Sequence, residues 1–194
     1  HAVRRSALLK AHPRIKSLMG PEPVSKYIAS VLVILHLYVA ILSRHISGWT
    51  FVIVTYMIGG TFAQALFLCI HELSHNLFFQ NHLLNQIFAW MCNFPIVFPY
   101  AESFRYYHLH HHKSQGLQGV DTDLPTKWEQ SVFRGRLGKC LWYNFQILAY
   151  ALRPTLVKRQ PLTIYTAWNV MLQCMFNVLF YKAFGSAPFM YLVA

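Results

Sequence analysis

Long uncharged segments alternate with short polar turns along this chain, and their lengths predict helices that cross a membrane. Residues 27–43 form a 17-residue run without a charge, and residues 49–70 form a second run of 22 residues. At a rise of about 1.5 Å per residue the first run would measure about 26 Å, close to the roughly 30 Å hydrocarbon core of a bilayer. The polar turn at residues 44–48 is short enough to join the two runs as a transmembrane hairpin.

The later hydrophobic pattern predicts two more spans and two segments of a different kind. Residues 163–181 form a 19-residue uncharged run, and another apolar run begins at residue 188. Residues 83–100 are apolar but contain Asn, Gln and Pro, and residues 140–152 are too few to span a bilayer. These two segments are therefore predicted to lie at the interface or to re-enter the membrane, packed on the rest of the protein.

Composition and charge support this picture. The chain is 55% hydrophobic and only 12% charged, about half the roughly 25% that is typical of soluble domains. Of its 17 Lys and Arg residues, six precede the first span and nine lie between residues 105 and 159, which by the positive-inside rule places both regions in the cytosol. We expect an all-α integral membrane helical bundle, with residues 1–26 as a cytosolic N-terminal segment and residues 27–194 as the membrane domain.

The net charge of +11 does not indicate a nucleic-acid partner, because the basic residues flank apolar runs and form no stripe interleaved with aromatics. Orientation of the chain in a membrane explains them better. Five basic residues of the cytosolic segment suit two uses equally, a docking surface for an acidic protein and contact with anionic membrane lipids: Arg134, Arg136, Lys139, Lys158 and Arg159.

Six of the 11 histidines lie in two tight groups after the second run. The first group is His71-Glu-Leu-Ser-His75, whose histidines are four residues apart and so share one face of a helix. In the second group, residues 108–112, the histidines at positions 108, 111 and 112 share a face while His110 points away. We predict a metal site made of His71, His75, His108, His111 and His112. Imidazole suits Zn, Cu, Fe and Ni, so the ligands alone do not choose the metal.

Two other functions fit part of this pattern. The sequence from His71 to His75 also matches the HExxH motif of zinc proteases, with Glu72 as the general base beside a zinc-bound water. One zinc with two histidines and a further ligand such as Asp121 would leave the second group unused, so the number of imidazoles favours two metals. A membrane scaffold that stores metal is the non-enzymatic alternative.

The motifs around these histidines resemble the membrane-bound lipid desaturases, in particular the sphingolipid Δ4-desaturase family. The resemblance runs along nearly the whole chain. It rests on the following segments: His71-Glu-Leu-Ser-His75-Asn76, Asn93-Phe-Pro-Ile, Tyr107-His108-Leu-His-His111-His112, Gly119-Val-Asp121-Thr-Asp123-Leu-Pro125-Thr126, Arg153-Pro154, and Pro13-Arg-Ile-Lys-Ser-Leu-Met-Gly-Pro21.

The resemblance implies an oxidoreductase of the endoplasmic reticulum membrane with two non-haem Fe ions. It implies that the enzyme uses O2 and electrons from NADH, delivered by cytochrome b5 and its reductase, to convert dihydroceramide to ceramide through a trans C4–C5 double bond. A C4-hydroxylase or another lipid desaturase would share the site. Glu72, Asn76, Asp121 and Asp123 are then candidates to orient the metal ligands, whereas Asp residues before Pro125 could equally cap a loop turn.

The family pattern includes a third histidine box, an HxxHH, which has no counterpart in residues 1–194. The chain starts with His1 and stops inside an apolar run, so we interpret it as a C-terminally truncated fragment. Five box histidines are fewer than the ligands that two irons need, and this fragment by itself is expected to be inactive.

Overall fold

The structure is a computed structural model that describes residues 2–194, with all side chains except those of Ala2, Ile147 and Ala151. Every regular element in this described range is helical, which confirms the all-α prediction. The α-helices are α1 (Ala2–Ala11), α2 (Ser25–Leu42), α3 (Gly48–Val54), α4 (Gly60–Ser74), α5 (His82–Asn93), α6 (Ala101–Ser114), α7 (Lys127–Val132), α8 (Gly135–Val157), α9 (Ile164–Phe184) and α10 (Ser186–Val193).

The predicted hairpin corresponds to two long helices. The first covers Ser25–His45, and the second covers Gly48–Ser74, in which α3 and α4 are joined by a π-helical turn at Thr55–Gly59. Both are long and apolar enough to cross a membrane. The second helix continues past the uncharged run that ends at residue 70, so His71 lies on this helix and His75 directly follows its last residue.

Two of the other predicted segments are also helical. Residues 164–181 fall within α9, which follows its N-cap Thr163 and ends at Phe184 before Gly185 and the short α10. Helix α9 is not among the two helices that satisfy the length and hydropathy requirements for a span, so its crossing stays a prediction. Residues 140–152 lie inside α8, which is 23 residues long and therefore extends well beyond the apolar run.

Helix α4 packs between α2 and α5 and supplies the centre of the main core. Leu66, Ile70 and Leu73 are fully buried and contact a core that includes Ala29 of α2 and Trp90 of α5. These three residues recur at helical spacing, so they occupy one face of α4. The histidines at positions 71 and 75 fall on the neighbouring face, at the edge of the core.

The exposed face of helix α8 is apolar, whereas a helix on the surface of a soluble protein exposes its polar face. Its polar face contacts the rest of the chain, because Tyr150 and Arg153 bond to residues of the preceding loop and of α7. Six of its described apolar residues face outward and are exposed: Leu137, Leu141, Phe145, Leu148, Leu152 and Leu156. They recur every three or four residues and so form one continuous stripe along the helix.

Candidate metal centre

The end of helix α4 places the first pair of histidines. His71 lies in the last turn, and the Ser74 hydroxyl donates to the His71 carbonyl at 2.6 Å. His75 follows the helix, and Asn76 adopts a left-handed φ of 60°, a conformation that Asn tolerates better than most residues. The helix thus ends in a tight turn that directs the imidazoles of His71 and His75 to the same side, with ring centroids 5.2 Å apart.

Arg105 of α6 fixes this turn. Its guanidinium donates to the carbonyls of Leu73 and Ser74 at 3.3 and 3.1 Å, and to Oδ1 of Asn76 at 3.2 Å. A positive charge at the C-terminus of a helix also interacts favourably with the helix dipole. The helix that carries the second histidine group is thereby attached directly to the end of the helix that carries the first.

The start of α6 is held by a buried amide. Oδ1 of Asn93 accepts hydrogen bonds from the backbone N–H groups of Tyr100 and Ala101, at 3.1 and 2.8 Å. Its Nδ2 donates to Oε1 of Gln173 in α9 at 3.1 Å. Asn93 is fully buried and links α5, α6 and α9. This explains in physical terms why an Asn begins the Asn93-Phe-Pro-Ile motif.

A second buried contact anchors the first turn of α6 to α5. The indole Nε1 of Trp90 donates to Oε1 of Glu102 at 2.7 Å, and both side chains are buried. Burial raises the pKa of the Glu102 carboxyl, and the hydrogen bond from Trp90 partly offsets this effect. Because Glu102 sits in the first turn of α6, the contact constrains the register of the histidines that follow.

The structure brings four of the five predicted histidines together. Ligating nitrogens of His71, His75, His108 and His112 all lie within 4.8 Å of one another, and we call this group the four-histidine cluster. Nε2 of His108 lies 2.8 Å from Nε2 of His75 and 3.0 Å from Nε2 of His112. Residues 33 positions apart in the sequence therefore form one site.

These distances fit a shared metal ion. Two nitrogens bound at about 2.1 Å and 90° apart on one metal lie about 3.0 Å from each other. Nε2 of His108 lies next to two other ring nitrogens. It carries either one proton or one lone pair, so without a metal it cannot donate a hydrogen bond to both of them. Convergent lone pairs of this kind are what a cation stabilises.

The protonation state of the cluster also suits metal binding. Burial, together with the neighbouring imidazoles, lowers the pKa of His108 to about 4. Burial followed by the charges of His112 and His71 lowers the pKa of His75 as well. Both rings are therefore neutral at pH 7, which is the form of imidazole that binds metals.

His111 stands beside the four-histidine cluster and has its own partner. Its Nδ1 lies 2.8 Å from Oδ1 of Asp121 and 3.4 Å from Oδ2 of Asp123. Its ring centroid is 5.6 Å from that of His112 and 6.4 Å from that of His108. With Nδ1 used by the carboxylates, Nε2 is the nitrogen of His111 that is left to bind a metal.

Asp121 is built into the loop after α6. It is 1% exposed, and its two oxygens also accept from the backbone N–H groups of Asp123 and Gly116, at 3.0 and 2.9 Å. Burial alone would raise the pKa of this carboxyl, but the hydrogen bonds from His111 and the two backbone N–H groups outweigh it and lower the pKa. Asp121 thus stays ionised, and it both shapes the loop turn and holds an imidazole.

The remaining predicted residues lie outside the group of converging nitrogens. Glu72 is exposed, and its carboxylate is not among the described groups whose ligand atoms come together. Asn76 contacts Arg105 and so acts on the helix end rather than on a ring. His110, which the spacing set apart from its neighbours, faces the other way, with Nε2 at 3.0 Å from the Val120 carbonyl and Nδ1 at 3.2 Å from the Lys158 ammonium. The use of the five histidines as metal ligands stays a prediction.

A cavity of about 360 Å³ adjoins the histidines and has an apolar wall. Phe67, Phe104 and Tyr150 line it together with His71 and His108, among other residues. The Phe104 ring stacks on His108 with centroids 4.9 Å apart. The arrangement can accommodate an apolar chain against the face of the site.

Comparison with known proteins identifies the family of this chain. A family model described as fatty acid desaturase matches residues 47–194, and one described as sphingolipid Delta4-desaturase matches residues 1–24. The chain therefore belongs to the fatty acid desaturase family, which confirms the resemblance inferred from the histidine motifs. No solved structure matches it.

The chain is also similar to curated proteins that are named sphingolipid delta(4)-desaturases. The chain is 45% identical to a sphingolipid delta(4)-desaturase of Schizosaccharomyces pombe, over 95% of this chain and 52% of that protein. It is 35% identical to the sphingolipid delta(4)-desaturase DES1 of Drosophila melanogaster, over 100% of this chain and 61% of the relative. For the Rattus norvegicus DES1 the identity is 34%, with 61% of the relative covered. The chain thus spans between half and two thirds of the length of these relatives.

Sequence reasoning assigned no role to the residues that hold the histidines in place, although Arg153 lies in one of the quoted motifs: Trp90, Glu102, Arg105, Glu129, Tyr150 and Arg153. One signal was available. The chain has only six acidic residues, and four of them, Glu102, Asp121, Asp123 and Glu129, accept hydrogen bonds from side chains of other elements. In such an apolar sequence each carboxylate is worth considering as part of a site.

Proposed function

We propose that this chain carries the first two histidine boxes of a sphingolipid Δ4-desaturase, which converts dihydroceramide to ceramide by introducing a trans C4–C5 double bond. The observation that carries the proposal is the convergence of His71, His75, His108 and His112 with the Asp121-bound His111 beside them. The names of the relatives support the substrate class.

The proposed cofactors are two non-haem Fe ions. The four-histidine cluster would hold one ion, and His111 would contribute to the second. When bound, iron would supply the one-electron chemistry with O2 that removal of hydrogen from an unactivated alkyl chain requires. The chain's own residues have other tasks: Asp121 keeps Nδ1 of His111 occupied, and Phe67 and Phe104 provide the apolar wall beside the site.

We place the protein in the endoplasmic reticulum membrane as a multi-pass helical bundle with its N-terminus and histidines in the cytosol. The helices Ser25–His45 and Gly48–Ser74 would cross the bilayer. The outward-facing stripe of α8, from Leu137 to Leu156, would lie in the interfacial region of the cytosolic leaflet, because an apolar face on the outside of the protein needs a lipid environment.

The proposed electron supply is NADH through cytochrome b5 reductase and cytochrome b5. Exposed Arg134, Arg136 and Lys139 at the start of α8 form a basic surface that an acidic partner could contact. Lys158 is less available, because its ammonium is half-buried and interacts with His110. Anionic membrane lipids are the alternative partner of the same surface.

The decisive experiment is lipid mass spectrometry on cells that lack their own dihydroceramide desaturase and express the full-length protein. We expect wild-type protein and the exposed control variant His82→Ala to form ceramide, and His108→Ala, His111→Ala and His112→Ala to lose this activity. A 4-hydroxylated product instead of ceramide would replace the desaturase proposal with a C4-hydroxylase. An unchanged lipid profile with well-expressed wild-type protein would overturn both.

A further inference from the structure

Helix α8 reaches the loop that supports His111. The Tyr150 hydroxyl donates to Oδ2 of Asp123 at 3.0 Å, and Nη1 of Arg153 donates to the backbone carbonyl of Asp123 at 3.0 Å. Both donors are on the polar, inward face of α8. Asp123 is therefore held at its side chain and at its backbone by one helix.

Asp123 in turn determines how the carboxylates approach His111. Its Oδ2, the oxygen bonded to Tyr150, lies 3.4 Å from Nδ1 of His111. Its backbone N–H donates to Oδ1 of Asp121, the oxygen that lies 2.8 Å from the same Nδ1. A displacement of Asp123 would therefore move both carboxylates relative to the imidazole.

Arg153 is itself rigidly supported. It is 3% exposed, and its Nη2 and Nε bond to both oxygens of Glu129 at distances from 2.6 to 3.1 Å. Glu129 belongs to a capping box at the start of α7, where its carboxylate accepts from the Thr126 N–H at 2.6 Å. A bidentate pair of this type fixes direction as well as distance. The segment from Asp121 to α7 is thus clamped against α8.

We propose that Tyr150 and Arg153 are positioning residues for His111. Through Asp123 they fix the carboxylates on Nδ1 of His111 and so aim its Nε2 at one of the two metal ions. The inference rests on the proposed metal centre and adds that different helices support its two sites. Helix α8 controls the metal bound through His111, whereas the four-histidine cluster depends on α4 and α6. Loss of an outer hydrogen-bond partner of a ligating histidine typically lowers metal affinity by about 10- to 100-fold.

The test is a titration with Co²⁺ alone. Full-length protein is prepared metal-free in lipid nanodiscs, and visible absorption and calorimetry report Co²⁺ binding at each site. Tyr150→Phe removes a single hydroxyl, and Tyr143→Phe is the matched control, since Tyr143 is an exposed tyrosine on the same helix. Arg153→Lys is the second variant, because it keeps the charge while losing the forked geometry.

We expect two bound Co²⁺ ions in the wild-type protein and in Tyr143→Phe. In Tyr150→Phe one of the two sites should bind about 10-fold more weakly, with a changed absorption spectrum, while the other site and the thermal stability of the metal-free protein stay the same. Arg153→Lys should weaken the same site. A purely structural role would lower stability and weaken both sites together, and that result would overturn the proposal.

Wild-type affinity at both sites in Tyr150→Phe and Arg153→Lys would overturn it as well. The failure of the proposed function has a different signature. If the wild-type protein binds two Co²⁺ ions and the variants affect one of them, the positioning role stands even if lipid analysis finds no ceramide. If the wild-type protein binds no Co²⁺, the metal centre and the positioning role are both rejected.

Discussion

Arg105 of α6 and Asn76 in the turn after α4 are joined by a hydrogen bond of 3.2 Å between Nη2 and Oδ1. The same guanidinium donates to the last carbonyls of α4. The residue that ends the first histidine motif is thereby attached to the helix of the second. The relative position of the two motifs therefore depends on one partly buried cation.

Replacing Arg105 should separate the two motifs. In Arg105→Met the carbonyls of Leu73 and Ser74 lose a charged donor, and we expect a loss of about 2 kcal/mol in the free energy of unfolding. We also expect weaker Co²⁺ binding by the four-histidine cluster, by about 10-fold. Chemical denaturation and Co²⁺ titration of the full-length protein would measure both. Arg136→Met, at an exposed arginine, is the control, and equal behaviour of the two variants would refute the role of Arg105.

Asn85 should be essential for the loop that follows His75. It is fully buried, and its Oδ1 accepts from the N–H groups of Phe78 and Phe79 while its Nδ2 donates to the carbonyls of Phe79 and Asn81. Asn85→Ala leaves these backbone groups without partners, and we expect a loss of about 3 kcal/mol in unfolding free energy.

The matched control for Asn85 is Asn144→Ala. Asn144 is exposed and bonds only to the Cys140 residue of its own helix among the described contacts. Its replacement should change the unfolding free energy by no more than about 0.5 kcal/mol. Chemical denaturation in detergent compares the two, and a similar small change at Asn85 would show that its hydrogen bonds contribute little.

The pair of Glu129 and Arg153 predicts a loss of stability in acid. Burial would raise the pKa of Glu129, but hydrogen bonds from Arg153 and Thr126 outweigh it and lower the pKa from 4.5 to about 2. A carboxyl whose pKa is lower in the folded state stabilises the fold above pH 4.5, and this contribution is lost as the pH falls from 4.5 to 2. The loss should amount to at most about 3 kcal/mol.

Thermal unfolding measured between pH 7 and pH 2 tests this effect. Glu129→Gln should be less stable at pH 7 and should show a shallower decline below pH 4.5 than the wild-type protein. Glu22→Gln, at an exposed carboxylate before α2, should keep the wild-type slope. If Glu129→Gln also keeps the wild-type slope, the carboxylate is not the group that titrates.

The exposed stripe of α8 should be in contact with lipid. Spin labels at Leu148→Cys and Lys139→Cys would sample the apolar and the polar side of the same helix in nanodiscs. We expect the label at position 148 to be accessible to O2 and protected from a water-soluble nickel chelate, and the label at position 139 to show the reverse. Equal accessibility to the nickel chelate at both positions would place α8 in water.

Much of this protein can be predicted from its sequence because the relevant interactions are local. The length of an uncharged run decides whether a helix can span a bilayer, so residues 27–43 and 49–70 were predicted as spans, and both runs fall within the long helices Ser25–His45 and Gly48–Ser74. Spacing on a helix decides which side chains share a face, so the four-residue separation of His71 and His75 was sufficient to pair them. The same rule separated His110 from His108.

The tertiary structure decided how these local units are combined. Helical spacing predicts that positions 108, 111 and 112 share a face. In the fold, His108 and His112 converge with the histidines of the first motif, whereas His111 bonds to Asp121. That division depends on Arg105, Asn93 and α8, whose partners are up to 80 residues away in the sequence. Hydrogen bonds between distant segments leave no periodic signal, so the chain alone determined which groups could bind a metal, and only the packed helices decided which of them meet.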